Sequence, residues 1–149
     1  NPDGFVRGHW RGNAAGVDVN RDWGPFQTPE ARAVSQRIAE LAADIEPALF
    51  ADFHSTKRDV IYAAPEGRAE GRLADALFAR LVGTLGDRAP EISRSHVSAR
   101  TTAKAWSLET LGVAGFTYEV ADEADLDVAR ATARIAAQCL IDAALEAEE

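Results

Sequence analysis

Short apolar runs that alternate with longer segments of helical periodicity restrict the possible folds more than any other feature of this chain. The runs that predict strands are ALFADF at 48–53, VIYAAP at 60–65 and AGFTYEVAD at 114–122. Strands that alternate with helices predict an α/β fold, in which a mostly parallel or mixed twisted sheet carries helices on both faces. A further strand is expected at residues 95–99.

The helical segments have recognisable boundaries. Thr28 is a suitable N-cap for a first helix, and Pro47 is expected to end that helix. The segment at 101–112 is predicted to be a short helix that Gly112 ends, and a last helix is predicted from about Ala124 onwards. The first 27 residues, which start with NPDG, are expected to be mostly loop and to begin with a turn. A second helix is marked by Leu73, Leu77, Leu81 and Leu85.

Composition limits the classes of function. The 149 residues are predicted to form a single domain, 1–149. The formal net charge of −8 disfavours nonspecific binding to nucleic acid or to acidic membranes, so neither partner is expected. The single cysteine, Cys139, excludes an internal disulfide framework. No apolar run is long enough to span a membrane, and the compartment stays open.

Asn20 and Arg21 stand side by side in the segment GVDVNRDW at 16–23. One interpretation is a solvated loop that holds an ordinary surface ion pair. The other is an anion-binding site, because arginine offers a planar fork of donors to a carboxylate and asparagine adds a neutral donor beside it. The residues themselves leave both interpretations open.

Two polar residues lie in or next to the predicted strands. His54 closes the strand at 48–53, and Glu119 lies inside the strand at 114–122. In α/β sheets, ligands bind beyond the carboxyl ends of the strands. His54 is either a hydrogen-bonded structural residue or a metal ligand. Glu119 lies either on an exposed strand face or in a low-dielectric pocket, where it would be a catalytic base.

Several short motifs occur in the order in which one enzyme family has them. They are NPDGF at 1–5, HWRGN at 9–13, GVDVNRDW at 16–23, PE at 29–30, DFHS at 52–55 and FTYEVAD at 116–122. On these motifs the chain resembles zinc carboxypeptidases of the carboxypeptidase A type. The resemblance covers essentially the whole chain but only the later part of the family's catalytic domain, so a partial carboxypeptidase-like domain is expected.

The resemblance implies a zinc-dependent hydrolase of the C-terminal peptide bond and a role for each matched residue. His54 would be the third protein ligand of one catalytic zinc ion. Glu119 would be the general base that takes a proton from the zinc-bound water, and Arg11 would polarise the scissile carbonyl. Asn20 and Arg21 would bind the free carboxylate of the substrate, which would be a peptide or an acyl-amino acid.

Two features of the family are missing from the sequence. The His-x-x-Glu pair that supplies the other two zinc ligands is absent, and in the family it precedes the NPDG turn. We therefore expect an upstream part that carries this pair, and we expect the isolated chain to be inactive unless another chain supplies it. The family tyrosine that closes over the substrate also has no counterpart, since Tyr62 and Tyr118 are the only tyrosines.

The resemblance also suggests a specificity residue and an unusual peptide bond. An ungapped count back from Glu119 puts Lys104 at or near the floor of the pocket for the substrate's C-terminal side chain. A lysine there predicts a preference for C-terminal Glu or Asp. The alternative places Lys104 on the solvent side of a short helix. The bond between Ser55 and Thr56 is expected to be cis, as it is in the family.

Two other functions stay open. An amidohydrolase of the aspartoacylase or succinylglutamate desuccinylase type shares the zinc site and a similar Asn-Arg pair, and its substrate would be a small N-acyl amino acid. A non-catalytic domain could instead retain the carboxylate clamp without the metal. An upstream His-x-x-Glu pair would favour an enzyme, and its absence would favour a binding module.

Overall fold

The computed structural model describes residues 2–9, 11–63, 69–94 and 101–147. These residues belong to two compact units, each of which is described by itself. The first unit contains residues 1–47 and 98–112, and the second contains residues 48–97 and 113–149. The single domain expected from length stays a prediction.

Helices and strands alternate along much of the described chain. The helices are α1 (Pro2–Arg7), α2 (Pro29–Asp44), α3 (Ala69–Leu85), α4 (Ala103–Trp106) and α5 (Leu126–Ala147). The strands are β1 (Leu49–Thr56), β2 (Val60–Tyr62), β3 (Glu91–Ser93) and β4 (Ala114–Ala121). Short 3-10 turns lie at Val19–Arg21 and Gly86–Arg88, and a π-helical turn at Ser107–Leu111 follows α4. None of the described helices is both long and apolar enough to cross a membrane.

The strands of the second unit form one sheet, which has four strands among the described residues. Its spatial order is β1-β4-β2-β3. β1 runs parallel to β4, and β2 runs parallel to β3, whereas β2 and β4 are antiparallel. The sheet is therefore mixed, which confirms the predicted α/β fold.

One face of this sheet is apolar and packs with two helices. Phe116 and Tyr118 of β4 and Ile61 of β2 are each 1% exposed. They form one core cluster with side chains of α3 and α5, among them Leu77 and Leu140. Burial of one large apolar side chain contributes about 1.5–3 kcal/mol, so this cluster holds α3 and α5 against the sheet.

In the first unit, α2 begins where the sequence predicts. The Thr28 hydroxyl oxygen accepts a hydrogen bond from the Ala31 backbone N–H at 3.3 Å, which is the usual N-cap contact. The Asp22 carboxylate in turn accepts hydrogen bonds from the Thr28 backbone N–H and hydroxyl at 2.7 and 2.6 Å. Asp22 therefore fixes the residue that caps the helix.

The first residues form the helix α1, so the turn expected at NPDG is wrong. Proline suits the first turn of a helix because its φ is already fixed near the helical value. The acidic Asp3 and the basic Arg7 lie at the ends where the helix dipole favours their charges. Gly8 has a φ of +67°, a left-handed conformation that ends the helix.

The bond between Ser55 and Thr56 is trans, like every other peptide bond among the described residues, so the predicted cis bond is wrong. Both residues continue β1, where they pair with Val120 and Ala121 of β4. A regular ladder of this kind is built from planar trans peptides. β3 is not among the predicted strands, and the strand expected at 95–99 lies outside the described residues.

Candidate functional site

His54 and Glu119 are neighbours on two adjacent parallel strands. The register pairs His54 of β1 with Glu119 of β4, and each lies two residues before its strand ends. Because successive side chains alternate between the two faces of a sheet, both lie on the face opposite Phe116 and Tyr118. The structure therefore brings these two predicted site residues together near the carboxyl ends of parallel strands, where α/β folds bind ligands.

Asp52 contacts the His54 ring on the same face. Its Oδ2 lies 3.1 Å from His54 Nε2, within hydrogen-bond distance. The Asp52 side chain is 15% exposed and the His54 side chain is 34% exposed. The imidazole is thus held by a largely buried carboxylate while part of the ring stays accessible to solvent.

Two hydrogen bonds hold the segments that follow the site. The Asp59 carboxylate accepts from the Ala121 backbone N–H at 3.1 Å, and the Asp122 backbone N–H donates to the Thr56 carbonyl at 2.6 Å. The first contact joins the last residue of β4 to the loop after β1, and the second joins the last residue of β1 to the residue after β4. They keep the two strand ends in the register that pairs His54 with Glu119.

In the first unit, Asp18 connects Arg11 to the turn that carries Asn20 and Arg21. Its Oδ2 accepts from Arg11 Nη1 at 3.4 Å, and its Oδ1 accepts from the Asn20 backbone N–H at 3.0 Å. Arg21 is exposed, and its Nη1 donates to the Asn20 carbonyl at 2.9 Å. The three predicted residues therefore belong to one hydrogen-bonded loop.

Asn13 organises the approach to this loop, a role that the sequence analysis missed. Its Oδ1 accepts from the backbone N–H groups of Ala15 and Val17 at 3.0 and 3.1 Å, and its Nδ2 donates to Glu30 Oε2 at 3.1 Å. The residue is 4% exposed. The signal was present in the run Asn-Ala-Ala-Gly, because asparagine before small residues favours a side-chain-stabilised turn.

Lys104 is 8% exposed, so the alternative that placed it on the solvent side of a short helix is wrong. Two contacts fix α4, which carries it. Asn20 Oδ1 accepts from the Ala103 backbone N–H at 3.0 Å, and the rings of Trp23 and Trp106 are 5.2 Å apart. Lys104 therefore follows directly after the residue that binds the Asn20 side chain.

The predicted site residues form two sets, one in each unit. The second unit brings together His54 and Glu119, with Asp52 beside them. The first unit brings together Arg11, Asn20, Arg21 and Lys104, through the contacts of Asp18 and Ala103. Asp52 supports His54 through the contact between them, and Asp18 and Asn13 are the supporting residues that the structure adds.

The described residues do not form a complete metal site by themselves. No group of three or more His, Cys, Asp or Glu side chains among them could hold a metal ion. His54 fits one position of a zinc site, because an imidazole whose second nitrogen contacts a carboxylate is a common zinc ligand. A tetrahedral site needs further ligands, so zinc stays a proposal.

No protein-family model matches the chain, and no curated protein matches its sequence. Solved structures do match its fold. A protein named as a candidate metallopeptidase, from Shewanella denitrificans OS217, has a TM-score of 0.70 and 19% identity, over 95% of this chain and 56% of its own. A metallo-carboxypeptidase from Burkholderia cenocepacia has a TM-score of 0.59 and 19% identity, over 97% of this chain and 42% of its own.

A third match is a metallo-carboxypeptidase from Pseudomonas aeruginosa in complex with (2-guanidinoethylmercapto)succinic acid. Its TM-score is 0.61 and its identity is 24%, over 97% of this chain and 43% of its own. At these identities the likeness shows the fold alone. The chain has a metallocarboxypeptidase-like fold and spans 42% to 56% of the length of these three proteins.

Proposed function

We propose that this chain carries part of the active site of a zinc-dependent metallocarboxypeptidase, which hydrolyses the C-terminal peptide bond of its substrate. The observation that supports this most is the register pairing of His54 with Glu119 near the ends of β1 and β4. It puts a metal-binding side chain beside a proton acceptor, in a fold shared with proteins named metallo-carboxypeptidases. In this proposal His54 is one zinc ligand, and the other ligands come from outside the described residues.

Glu119 is the general base of the proposed reaction. It takes a proton from the attacking water and later gives this proton to the leaving amine, as a positioned carboxylate can do. Zinc, when bound, would lower the pKa of its water to about 7. Glu119 lies on a partly buried strand face, where its register partner is His54.

Arg11 stabilises the charge that develops on the carbonyl oxygen. One donor aimed at such a charge contributes about 3 kcal/mol to catalysis. In the structure, Arg11 contacts Asp18 at 3.4 Å, and its side chain is 54% exposed. An ion pair this exposed contributes about 0–1 kcal/mol.

Asn20 and Arg21 bind the C-terminal carboxylate of the substrate. Arg21 is exposed and offers a fork of N–H donors. The Asn20 amide is oriented by Ala103, which uses its Oδ1, so Nδ2 is the atom of this amide that donates to an anion. The Pseudomonas aeruginosa protein, which is a complex with a succinic acid derivative, supports a carboxylate-bearing substrate.

Lys104 selects for an acidic C-terminal residue. It follows Ala103, whose N–H binds the Asn20 side chain, and it is buried. A substrate that ends in Glu or Asp carries a second carboxylate close to the one that Arg21 binds. Pairing with a buried ammonium is most favourable for such a group, because charge pairs strengthen where water is excluded.

The experiment that tests this function uses the protein purified with whatever sequence its gene encodes before Asn1. With Zn²⁺ present, we expect stepwise release of C-terminal residues from peptides with a free carboxylate, and no release from the same peptides when they are amidated. Removal of the metal with a chelator should stop the release. Cleavage of N-acyl amino acids without cleavage of peptides would identify the amidohydrolase instead, and peptide binding without cleavage would identify a binding module.

A further inference from the structure

Asn13 closes a tight loop with its backbone and its side chain together. Its backbone N–H donates to the Val17 carbonyl at 3.0 Å, and its backbone carbonyl accepts from the Gly16 N–H at 2.9 Å. Its side-chain Oδ1 accepts from the backbone N–H groups of Ala15 and Val17 at 3.0 and 3.1 Å. Hydrogen bonds of a single residue therefore fix the path of the chain from 13 to 17.

This loop brings its two flanks together. Gly12 and Asp18 form an antiparallel bridge across it, and a Cβ atom added at Gly12 would lie only 3.0 Å from the Cα of Gly16. Asp18 Oδ2 accepts from Arg11 Nη1 at 3.4 Å, and the Asp18 backbone carbonyl accepts from the Arg21 N–H at 2.9 Å. The loop thus sets the separation between Arg11 and the turn that carries Arg21.

The other end of the Asn13 amide ties the loop to α2. Its Nδ2 donates to Glu30 Oε2 at 3.1 Å, and Glu30 lies in the first turn of that helix. Two N–H donors face Oδ1 and a carboxylate faces Nδ2, so these partners define the orientation of the amide. Asn13 is 4% exposed, and a buried polar group that loses its partners destabilises the structure around it. Glu30 is therefore the anchor of the loop on a regular element.

We infer that Asn13 is a positioning residue, anchored by Glu30, that sets the distance between Arg11 and the clamp formed by Asn20 and Arg21. The inference rests on the proposed function, in which Arg11 stabilises the scissile carbonyl oxygen and the clamp binds the terminal carboxylate. In a peptide these two groups belong to adjacent residues, so the distance between their partners decides whether the last bond is the one that reacts. Asn13 acts through these residues and does not contact the substrate.

Hydrogen exchange of backbone amides, followed by NMR without metal or substrate, tests the loop alone. The N–H groups of Asn20 and Arg21 donate to Asp18. In Asn13→Ala we expect both to exchange about tenfold faster, because about one hydrogen bond of stability is lost from the loop. Glu30→Ala, which removes only the anchor, is the second variant in case the first does not fold. Unchanged exchange at both amides in the variant that folds would overturn the proposal.

An exchange of partners tests the anchor itself. Asn13→Asp keeps the acceptor for the loop but puts a second carboxylate beside Glu30, so exchange at the clamp should become fast. Adding Glu30→Gln returns a donor opposite the new carboxylate and should restore slow exchange, or should restore folding if Asn13→Asp alone does not fold. Glu40→Gln, at an exposed position of the same helix, is the matched control and should not rescue. No rescue by Glu30→Gln, or equal rescue by Glu40→Gln, would contradict the anchor.

Peptide cleavage by the protein used for the peptidase assay gives a second readout. Asn13→Ala should lower kcat/KM for peptides with a free C-terminus about 10- to 100-fold, as small misplacements of reacting groups do. It should lower kcat and also raise KM, because Arg11 and the clamp both move, whereas a smaller folded fraction would lower only the apparent kcat. An unchanged KM would overturn the positioning role. If the unmodified protein cleaves no peptide, the proposed function fails, and hydrogen exchange still decides whether Asn13 sets the loop.

Discussion

The proposed carboxylate clamp can be tested at Arg21, whose exposed guanidinium lies beside Asn20. Arg21→Ala should weaken the binding of peptides with a free C-terminus about 10- to 100-fold, which corresponds to a hydrogen bond to a charged group of about 1.5–3 kcal/mol. Binding of the amidated peptides should not change. Calorimetry on both peptide series gives the comparison, and Arg37→Ala on the exposed side of α2 is the matched control. Equal weakening of both series would contradict the clamp.

Lys104 offers a separate test at the scale of one side chain. Rates of cleavage should be compared for peptides that end in Glu, Leu or Lys. We expect a preference for Glu, and Lys104→Ile should abolish it because the pocket then has no cation to pair with the side-chain carboxylate. Lys57→Ile, at an exposed position after β1, should keep the preference. A preference for Leu in the unmodified protein would rule out this role for Lys104.

Tyr118 has a buried hydroxyl, for which the described residues provide no hydrogen-bond partner. A buried polar group without a hydrogen-bond partner lowers the free energy of unfolding by about 1–3 kcal/mol. Tyr118→Phe removes this group, so it should raise the free energy of unfolding by about 1 kcal/mol at neutral pH. Burial, and then the charge of Asp59, raise the pKa of Tyr118 from 10.0 to about 12. Urea unfolding at several pH values measures both effects, with Tyr62→Phe as the control.

The sign of the pH effect follows from the raised pKa of Tyr118. The folded chain holds the phenol proton more tightly than the unfolded chain does, so this contribution to stability is complete below pH 10 and is lost as the pH rises towards 12. The advantage of Tyr118→Phe should therefore grow over that range. A constant difference between the two proteins from pH 8 to pH 12 would show that Tyr118 ionises normally.

Single residues differ in how far the sequence predicts their contacts. The shared face of Asp52 and His54 follows from their spacing in one strand, and the strand-end rule singles out His54 and Glu119. Their register cannot be derived this way, because it depends on how two distant strands slide against each other. The contact of Asn20 with Ala103 joins residues 83 positions apart, and no local pattern encodes it.

At the scale of elements, the start of α2 depends on Asp22. Although burial opposes its charged form, hydrogen bonds from Thr28 and Gln27 lower the pKa of Asp22 below its ordinary value of 3.8. A lowered pKa means that this contribution to stability is present above pH 3.8 and is lost as the pH falls through the folded value. Asp22→Asn should therefore destabilise the protein at pH 7, and its unfolding curve should approach that of the unmodified protein in acid.

Chemical unfolding of both proteins between pH 2 and pH 7 checks this expectation. Asp44→Asn, at the exposed end of the same helix, is the matched control and should differ little from the unmodified protein at any pH. A difference between Asp22→Asn and the unmodified protein that is the same at every pH would mean that the carboxylate charge is not what fixes the cap.

Elements with strong local signals are the ones that the sequence predicts. β1, β4 and α2 combine long apolar patterns with clear ends, and their existence is confirmed. β3 has only three residues, too few for a visible alternation, and α1 depends on the conformation of Gly8. The apolar pattern of α2 overstates its burial, since Val34 is 48% exposed and Leu41 is 43% exposed. Periodicity predicts that a helix forms, but what covers its apolar face is decided by tertiary packing.

At the scale of the whole molecule, the fold is shared with larger proteins, of which this chain spans 42% to 56%. The ordered motifs lead to the same fold from the sequence. The arrangement inside the second unit is what gives the proposed function its physical basis, because the strand register puts His54 and Glu119 side by side. The proposed zinc site needs further ligands, and no group of three or more His, Cys, Asp or Glu side chains among the described residues provides them.

The most direct test of this account is Glu119→Gln in protein that carries its metal. The substitution keeps the size of the side chain and removes the proton acceptor, so peptide cleavage should fall about 10²- to 10⁴-fold, while the zinc content per chain stays the same. Glu123→Gln, at an exposed position just beyond β4, should retain activity. Loss of zinc together with activity would make Glu119 a ligand rather than a base, and full activity without its carboxylate would contradict the proposed active site.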